Sequence, residues 1–195
     1  MMSICIAKIP KEIRGNLYCR ERCDEISSCI SLKVKRQKFY AWALLESCAQ
    51  KLGFNSCNLH FFKLDNGKWK CSEFEFSISH SEDYVAVILS DVKVGIDIQK
   101  ESSINVDLFA NKILTQNEKL FYSQLDENKK LCFLLEKWTQ KECVYKMLES
   151  KDVKISQINC EDYPIHTQKL NLNGETYHLS YTPANKQIEI NLVEI

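Results

Sequence analysis

The sequence carries no excess of charge of either sign, with 26 Lys and Arg against 26 Asp and Glu. It therefore lacks the broad basic field that draws a chain to nucleic acid or to an anionic membrane. It also lacks any apolar run near the roughly 18 residues of a membrane-crossing helix. The opening residues, MMSICIAKIPKEIRG, have no long apolar core and no small-residue cleavage site, so a secretory signal is not expected and the cytoplasm is the expected compartment. Ten cysteines are present but no C-x-x-C pair, which removes zinc-ribbon spacing. Cys48, Cys132 and Cys143 fall in apolar patterns and are expected as small, reduced, buried side chains. Neither G-x-x-x-x-G-K-[ST] nor G-x-G-x-x-G occurs, so the glycine-rich phosphate loop of nucleotide hydrolases is absent.

What is present is an ordinary globular composition, 45% hydrophobic over 195 residues, enough for one large domain or two small ones. Residues 4–9 read as a short strand. The stretch QKFYAWALLESCAQKL (37–52) has helical periodicity, with Gly53 as a natural stop. LHFFKL (59–64), EFEFSIS (73–79), DYVAVILS (83–90) and SDVKVGIDIQK (90–100) read as strands, and ESSINV (101–106) as a polar connector. Beyond it come a helix at 107–114, a Thr115–Glu118 capping box, and a long helix from about 126 to 150. Alternating segments follow, QINC, QKLNLNGETYHLSYT and KQIEINLVEI, with a hairpin signal at Asn173–Gly174. Both halves thus carry a long helix and several strands. The expected fold is α+β, two similar lobes related by a pseudo-twofold, each a long helix on a small antiparallel sheet, with domains at 1–100 and 101–195.

The strand at 90–100 raises a chemical question. Val92, Val94, Ile96 and Ile98 alternate with Lys93, Gly95, Asp97 and Gln99, so Asp97 and Gln99 share one face. Gly95, without a side chain, marks a place where something bulky comes close to the backbone. In EKWTQKECVYKML, Trp138, Glu142, Tyr145 and Lys146 share a helix face, with Lys141 at its edge. A surface ion pair between Glu142 and Lys146, worth about 0.3–0.5 kcal/mol, is the plain alternative. It leaves the neighbouring Trp138 unexplained. A carboxylate flanked by ammonium groups is also equipped to hold a metal or take a proton beside a polyanion. His80 ends a strand between Ser79 and Ser81, where hydroxyls, imidazole and turn amides suit phosphate oxygens. Lys33, Lys35, Arg36 and Lys38 crowd a helix start, against the helix dipole, and Lys68 follows a turn in NGKWK. Together these residues suit phosphoryl chemistry on a polyanion with a divalent cation.

SISHS (77–81), VGIDIQK (94–100) and KWTQKECVYK (137–146), in that order and at those separations, resemble the 4′-phosphopantetheinyl transferases. The likeness is to the long, two-lobed type that activates carrier domains of peptide and polyketide synthetases, and NGKWK is similar to its glycine–lysine segment. It spans roughly residues 30–150. It implies transfer of phosphopantetheine from coenzyme A to a serine of an apo carrier protein, dependent on Mg²⁺, with release of adenosine 3′,5′-bisphosphate. It implies Asp97 and Glu142 as metal carboxylates, Glu142 also as a base, and Lys146 as the lysine that stabilises the transferred phosphate. Lys141 belongs to the same motif and is implied as a further contact to coenzyme A. His80 with Ser79, and Lys68, resemble contacts to coenzyme A, and Arg36 or Lys38 the partner of its 3′-phosphate. Trp138 is expected to pack and fix the helix. The implied site is a metal-binding strand at the junction of the lobes, with Gly95 making room beside it, in a monomer with no nucleic-acid or membrane partner.

Gln99 departs from the pattern, for the family commonly has glutamate there. An amide oxygen still reaches Mg²⁺ directly or through water, but binds it more weakly. Two readings compete with an active transferase. One is a relative that binds coenzyme A or a carrier protein without transfer, favoured only by Gln99. The other is a structural α+β protein with an ordinary charged surface, which three ordered motifs disfavour.

Overall fold

A computed structural model describes residues 1–102, 105–150, 152–184 and 188–195. Parts of the connector at 101–106 and of the segment KQIEINLVEI lie outside the described residues. The chain forms two compact units, Met1–Val94 with Ile188–Ile195, and Gly95–Gln187. The architecture is mixed α+β, a long helix on a mainly antiparallel sheet in each unit.

In the first unit, β1 (Met2–Lys8), β4 (Glu75–Ser81), β5 (Tyr84–Ser90) and β9 (Ile190–Val193) form a sheet in the order β4-β5-β1-β9. β9 joins β1 in parallel, the one departure here from an antiparallel pattern. β2 (Phe61–Lys63) and β3 (Trp69–Cys71) make a separate hairpin. α2 (Leu32–Lys51) starts five residues before its apolar periodicity does, because the Ser31 hydroxyl accepts the Val34 N–H and caps a basic first turn. It buries Phe39, Tyr40, Trp42, Leu44, Leu45 and Cys48. Trp42 meets Phe61, Trp69 and Phe76 edge-on, and each such burial contributes about 1.5–3 kcal/mol. The short helix α1 (Arg20–Ser27) was not expected from the sequence; its only buried residue is Ile26, so it shows little apolar stripe.

In the second unit, β6 (Gly95–Lys100), β7 (His166–Leu172) and β8 (Glu175–Thr182) form an antiparallel sheet in the order β6-β8-β7. The β7–β8 turn is the expected hairpin, with positive φ at Asn173 and Gly174. α3 (Val106–Ile113) is capped by Asn105, whose side chain accepts the Leu108 N–H. α4 (Gln116–Ser123) opens on the complete Thr115–Glu118 capping box. α5 (Glu127–Leu148) packs on β6 and β8. Among the described residues β6 pairs with β8 alone, so the strand placed at the end of the first lobe by sequence falls in the second unit. All ten cysteines are free, and Cys48 and Cys143 are buried.

Candidate active site

Gly95 sits hard against α5. A Cβ built there would lie 1.7 Å from the Cys143 carbonyl oxygen and 3.2 Å from the Met147 nitrogen. The bulky neighbour is therefore the backbone of α5, not a ligand, which corrects the expectation that Gly95 clears space beside a metal. Close approach brings the helix face bearing Lys146 onto β6. Lys146 Nζ lies 2.6 Å from Asp97 Oδ1 and 3.1 Å from the Ile96 carbonyl. Asp97 is buried.

Among the described residues Lys146 pairs with Asp97, and the expected surface ion pair with Glu142 is not seen. Among the described residues the Glu142 carboxylate makes no hydrogen bond or ion pair. Burial raises its pKa above the ordinary carboxylate value. Asp97 raises it further, while Lys146 and Lys112 pull it down. A half-buried carboxylate kept without a partner beside a second carboxylate is costly, and it is the arrangement that a cation or an incoming proton relieves. The donor set, two carboxylates with Gln99 on the same face of β6 as Asp97, suits a hard divalent ion. No group of three or more His, Cys, Asp or Glu among the described residues is placed to hold an ion alone. The remaining ligands would come from a phosphate-bearing substrate and water.

Lys141 behaves otherwise. It is 0% exposed, its Nζ 2.8 Å from Glu118 Oε2 and 2.6 Å from the Ile158 carbonyl oxygen. An ammonium so enclosed cannot reach coenzyme A, and its expected role as a cofactor contact is corrected on that ground. Trp138 packs 5.2 Å from Phe109 of α3, as a packing residue should.

The other expected contacts lie in the first unit. Ser79 and His80 are on β4, Ser79 buried and His80 exposed, and Lys68 follows the β2–β3 turn. Arg36 donates twice to the Pro10 carbonyl, at 2.9 and 2.7 Å, and lines a pocket of about 300 Å³ with Ile9, Lys33, Gln37, Glu82 and Asp83. Lys38 instead lies 3.8 Å from Glu25. Glu25 also pairs with Arg22 and Lys63 and accepts the Trp69 indole N–H at 3.0 Å. Burial opposes its ionisation, but Trp69, Arg22 and Lys63 outweigh that and bring its pKa to about 2.

Sequence reasoning found Glu118 only as a capping residue and did not find Ser180 or Thr139. The Thr139 and Ser180 hydroxyls are buried 2.8 Å apart beneath α5, and Ser180 is the register partner of Asp97. A signal for Lys141 was available: it stands at helical spacing in the stripe Leu134, Trp138, Val144, Leu148, where a lysine must bring its own partner.

The family model of the 4′-phosphopantetheinyl transferase superfamily matches residues 93–190, half of the chain and the stretch that holds Asp97, Glu142 and Lys146. The chain belongs to this superfamily. It is also 26% identical over 163 residues to the 4′-phosphopantetheinyl transferase gsp of Aneurinibacillus migulanus, covering 76% of this chain. The match spans 66% of that relative's length. Among the described residues no helix is long and apolar enough to cross a membrane.

Proposed function

We propose that the protein transfers the 4′-phosphopantetheine group of coenzyme A to a serine of an apo acyl or peptidyl carrier protein. The observation that carries this reading is the Glu142 carboxylate, desolvated and without a hydrogen bond or ion pair among the described residues, beside the Asp97–Lys146 pair in a chain of this superfamily. The serine oxygen bonds to the phosphorus that bears the pantetheine arm, and the bond from that phosphorus to the bridging oxygen breaks. Adenosine 3′,5′-bisphosphate leaves with the bridging oxygen. The serine proton goes to Glu142, directly or through water. A raised pKa makes Glu142 a better proton acceptor than an ordinary carboxylate. Lys146 supplies positive charge to the phosphate as it is transferred. Asp97, Glu142 and Gln99 are the groups that would hold Mg²⁺, which when bound neutralises pyrophosphate charge. His80, Ser79, Lys68 and Arg36 are proposed to contact the phosphates of coenzyme A. Lys38, engaged by Glu25, is the weaker candidate for the 3′-phosphate.

Incubation with coenzyme A, Mg²⁺ and an apo carrier protein, read by mass spectrometry, tests this. The expected result is a phosphopantetheine mass shift on the carrier. Tight coenzyme A binding without the shift would mark a binding relative that has lost transfer, the reading that Gln99 favours. Neither binding nor shift would reject both.

A further inference from the structure

The Glu142 carboxylate has no protein partner among the described residues to fix it, so its position is set by α5 alone. On the sheet side α5 is held by Cys143 against Gly95 of β6, by Thr139 against Ser180 of β8, and by Lys146 against Asp97 and the Ile96 carbonyl of β6. These lie on one side of the helix. At about 100° per residue, Lys141 stands about 200° round from Thr139, on the side turned away from the sheet, and Glu142 lies on the flank between. On that far side Leu134 and Trp138 pack with α3 and Val144 packs with Ile158, but apolar contacts are non-directional and tolerate a small roll, and such a roll would carry Glu142 away from Asp97.

We propose that Glu118 and Lys141 are positioning residues that stop this roll and so hold Glu142 in place. The Lys141 ammonium, fully buried, donates to Glu118 Oε2 at 2.8 Å and to the Ile158 carbonyl at 2.6 Å. Glu118 is itself held in place, since the same oxygen accepts the Thr115 N–H at 2.8 Å in the capping box that starts α4. Its other oxygen lies 3.9 Å from Lys137 Nζ. The back of α5 is thereby tied to the first turn of α4 and to the chain at Ile158. Buried ion pairs seldom add net stability over apolar residues of similar volume, but they fix geometry where one arrangement must be chosen. The activity arm of this inference rests on the proposed transferase function; the spectroscopic arm does not.

Either single variant strands a buried charge and is expected to be poorly folded. The informative protein is Glu118→Gln combined with Lys141→Met, which keeps a capping acceptor and leaves no fully buried unpaired charge, only the partly exposed Lys137 losing its distant carboxylate. Labelled with 5-fluorotryptophan, the protein gives ¹⁹F signals for Trp42, Trp69 and Trp138, and only Trp138 lies on α5. The double variant is expected to melt within a few degrees of the wild type and to show a displaced Trp138 resonance with Trp42 and Trp69 unmoved. Transfer turnover should fall at least tenfold, with half-saturation by coenzyme A changed less than twofold. Wild-type turnover in the folded double variant would overturn the proposal, as would reduced turnover with an unmoved Trp138 resonance. If the wild type transfers nothing, the functional reading fails, and the Trp138 resonance alone decides this one: displaced supports it, unmoved overturns it.

Discussion

The two long helices of the molecule are of similar length and do opposite work. α2 covers its sheet with aromatic and aliphatic side chains around Trp42. Its one buried acid, Glu46, is held by the Tyr18 and Cys19 backbone N–H groups. α5 lays Thr139 and Lys146 against Ser180 and Asp97 of its sheet, hides Lys141 behind, and leaves Glu142 without a partner among the described residues. An oily seam tolerates substitution as long as volume is kept. A polar seam in low dielectric does not, because each unmatched group carries a full desolvation cost. The superfamily match falls on the polar seam. One unit is built for packing, and the other spends packing quality to place charges.

The largest effect expected from this contrast is at Gly95. Gly95→Ala forces a methyl group into the Cys143 carbonyl, and the backbone of α5 must lift from β6. The cost should reach about 3 kcal/mol or more, read as a lowered urea midpoint, with transfer lost in whatever remains folded. Wild-type stability would mean that α5 does not sit against this strand.

Trp42→Ala attacks the other seam. It should cost about 3–5 kcal/mol, because the indole is 1% exposed among Phe61, Trp69 and Phe76. The contrast predicts that Trp42→Phe, which keeps an aromatic ring there, recovers most of that loss on thermal melting. No recovery would show that the first seam is as exacting as the second.

Glu25→Gln sharpens the comparison in the first unit through pH. A carboxylate with pKa lowered to about 2 contributes stability that is fully present above the ordinary value of 4.5 and is lost as pH falls towards 2. The variant should therefore melt lower than wild type at neutral pH, and the two curves should converge as the pH approaches 2. A constant difference across that range would assign the effect to packing instead of charge.

Gln99→Glu is expected to be the mildest change. It adds a negative charge on the Asp97 face of β6, opposite His178, which is itself bonded to Glu101 at 3.1 Å. The attraction of one charge to a cation at about 4 Å is of order 4 kcal/mol at an effective dielectric of about 20, before desolvation. Half-saturation of transfer by Mg²⁺ should fall by a measurable factor. Coincident titrations of the two proteins would place position 99 away from the ion.

Strand and helix periods made most of the elements legible, and so did the capping box and the Asn173–Gly174 turn, since these are local rules. The parallel addition of β9 to β1 was not legible, because it joins residues 4–7 to residues 190–193 and no local pattern encodes it. The function of Gly95 was misread for a related reason: a missing side chain announces a neighbour without saying which. The ordered motifs singled out Asp97, Glu142 and Lys146, which lie together where α5 meets β6. That Lys146 pairs with Asp97, and Lys141 with Glu118, depends on which faces of α5 meet which neighbours, and only the folded chain decides that.

The central claim is that Glu142 is held ionisable, desolvated and without a hydrogen-bonding partner among the described residues for the sake of chemistry, and Glu142→Gln tests it directly. A folded-state pKa raised above the ordinary 4.5 means that ionising Glu142 costs stability, a cost absent at low pH that grows as pH rises through that region. The variant removes the charge, so at neutral pH it should melt higher than the wild type, with the gain vanishing below the ordinary carboxylate range. In the same preparation, transfer to an apo carrier should be abolished while coenzyme A still binds. A variant that melts lower at neutral pH, or that still transfers at the wild-type rate, would contradict the account.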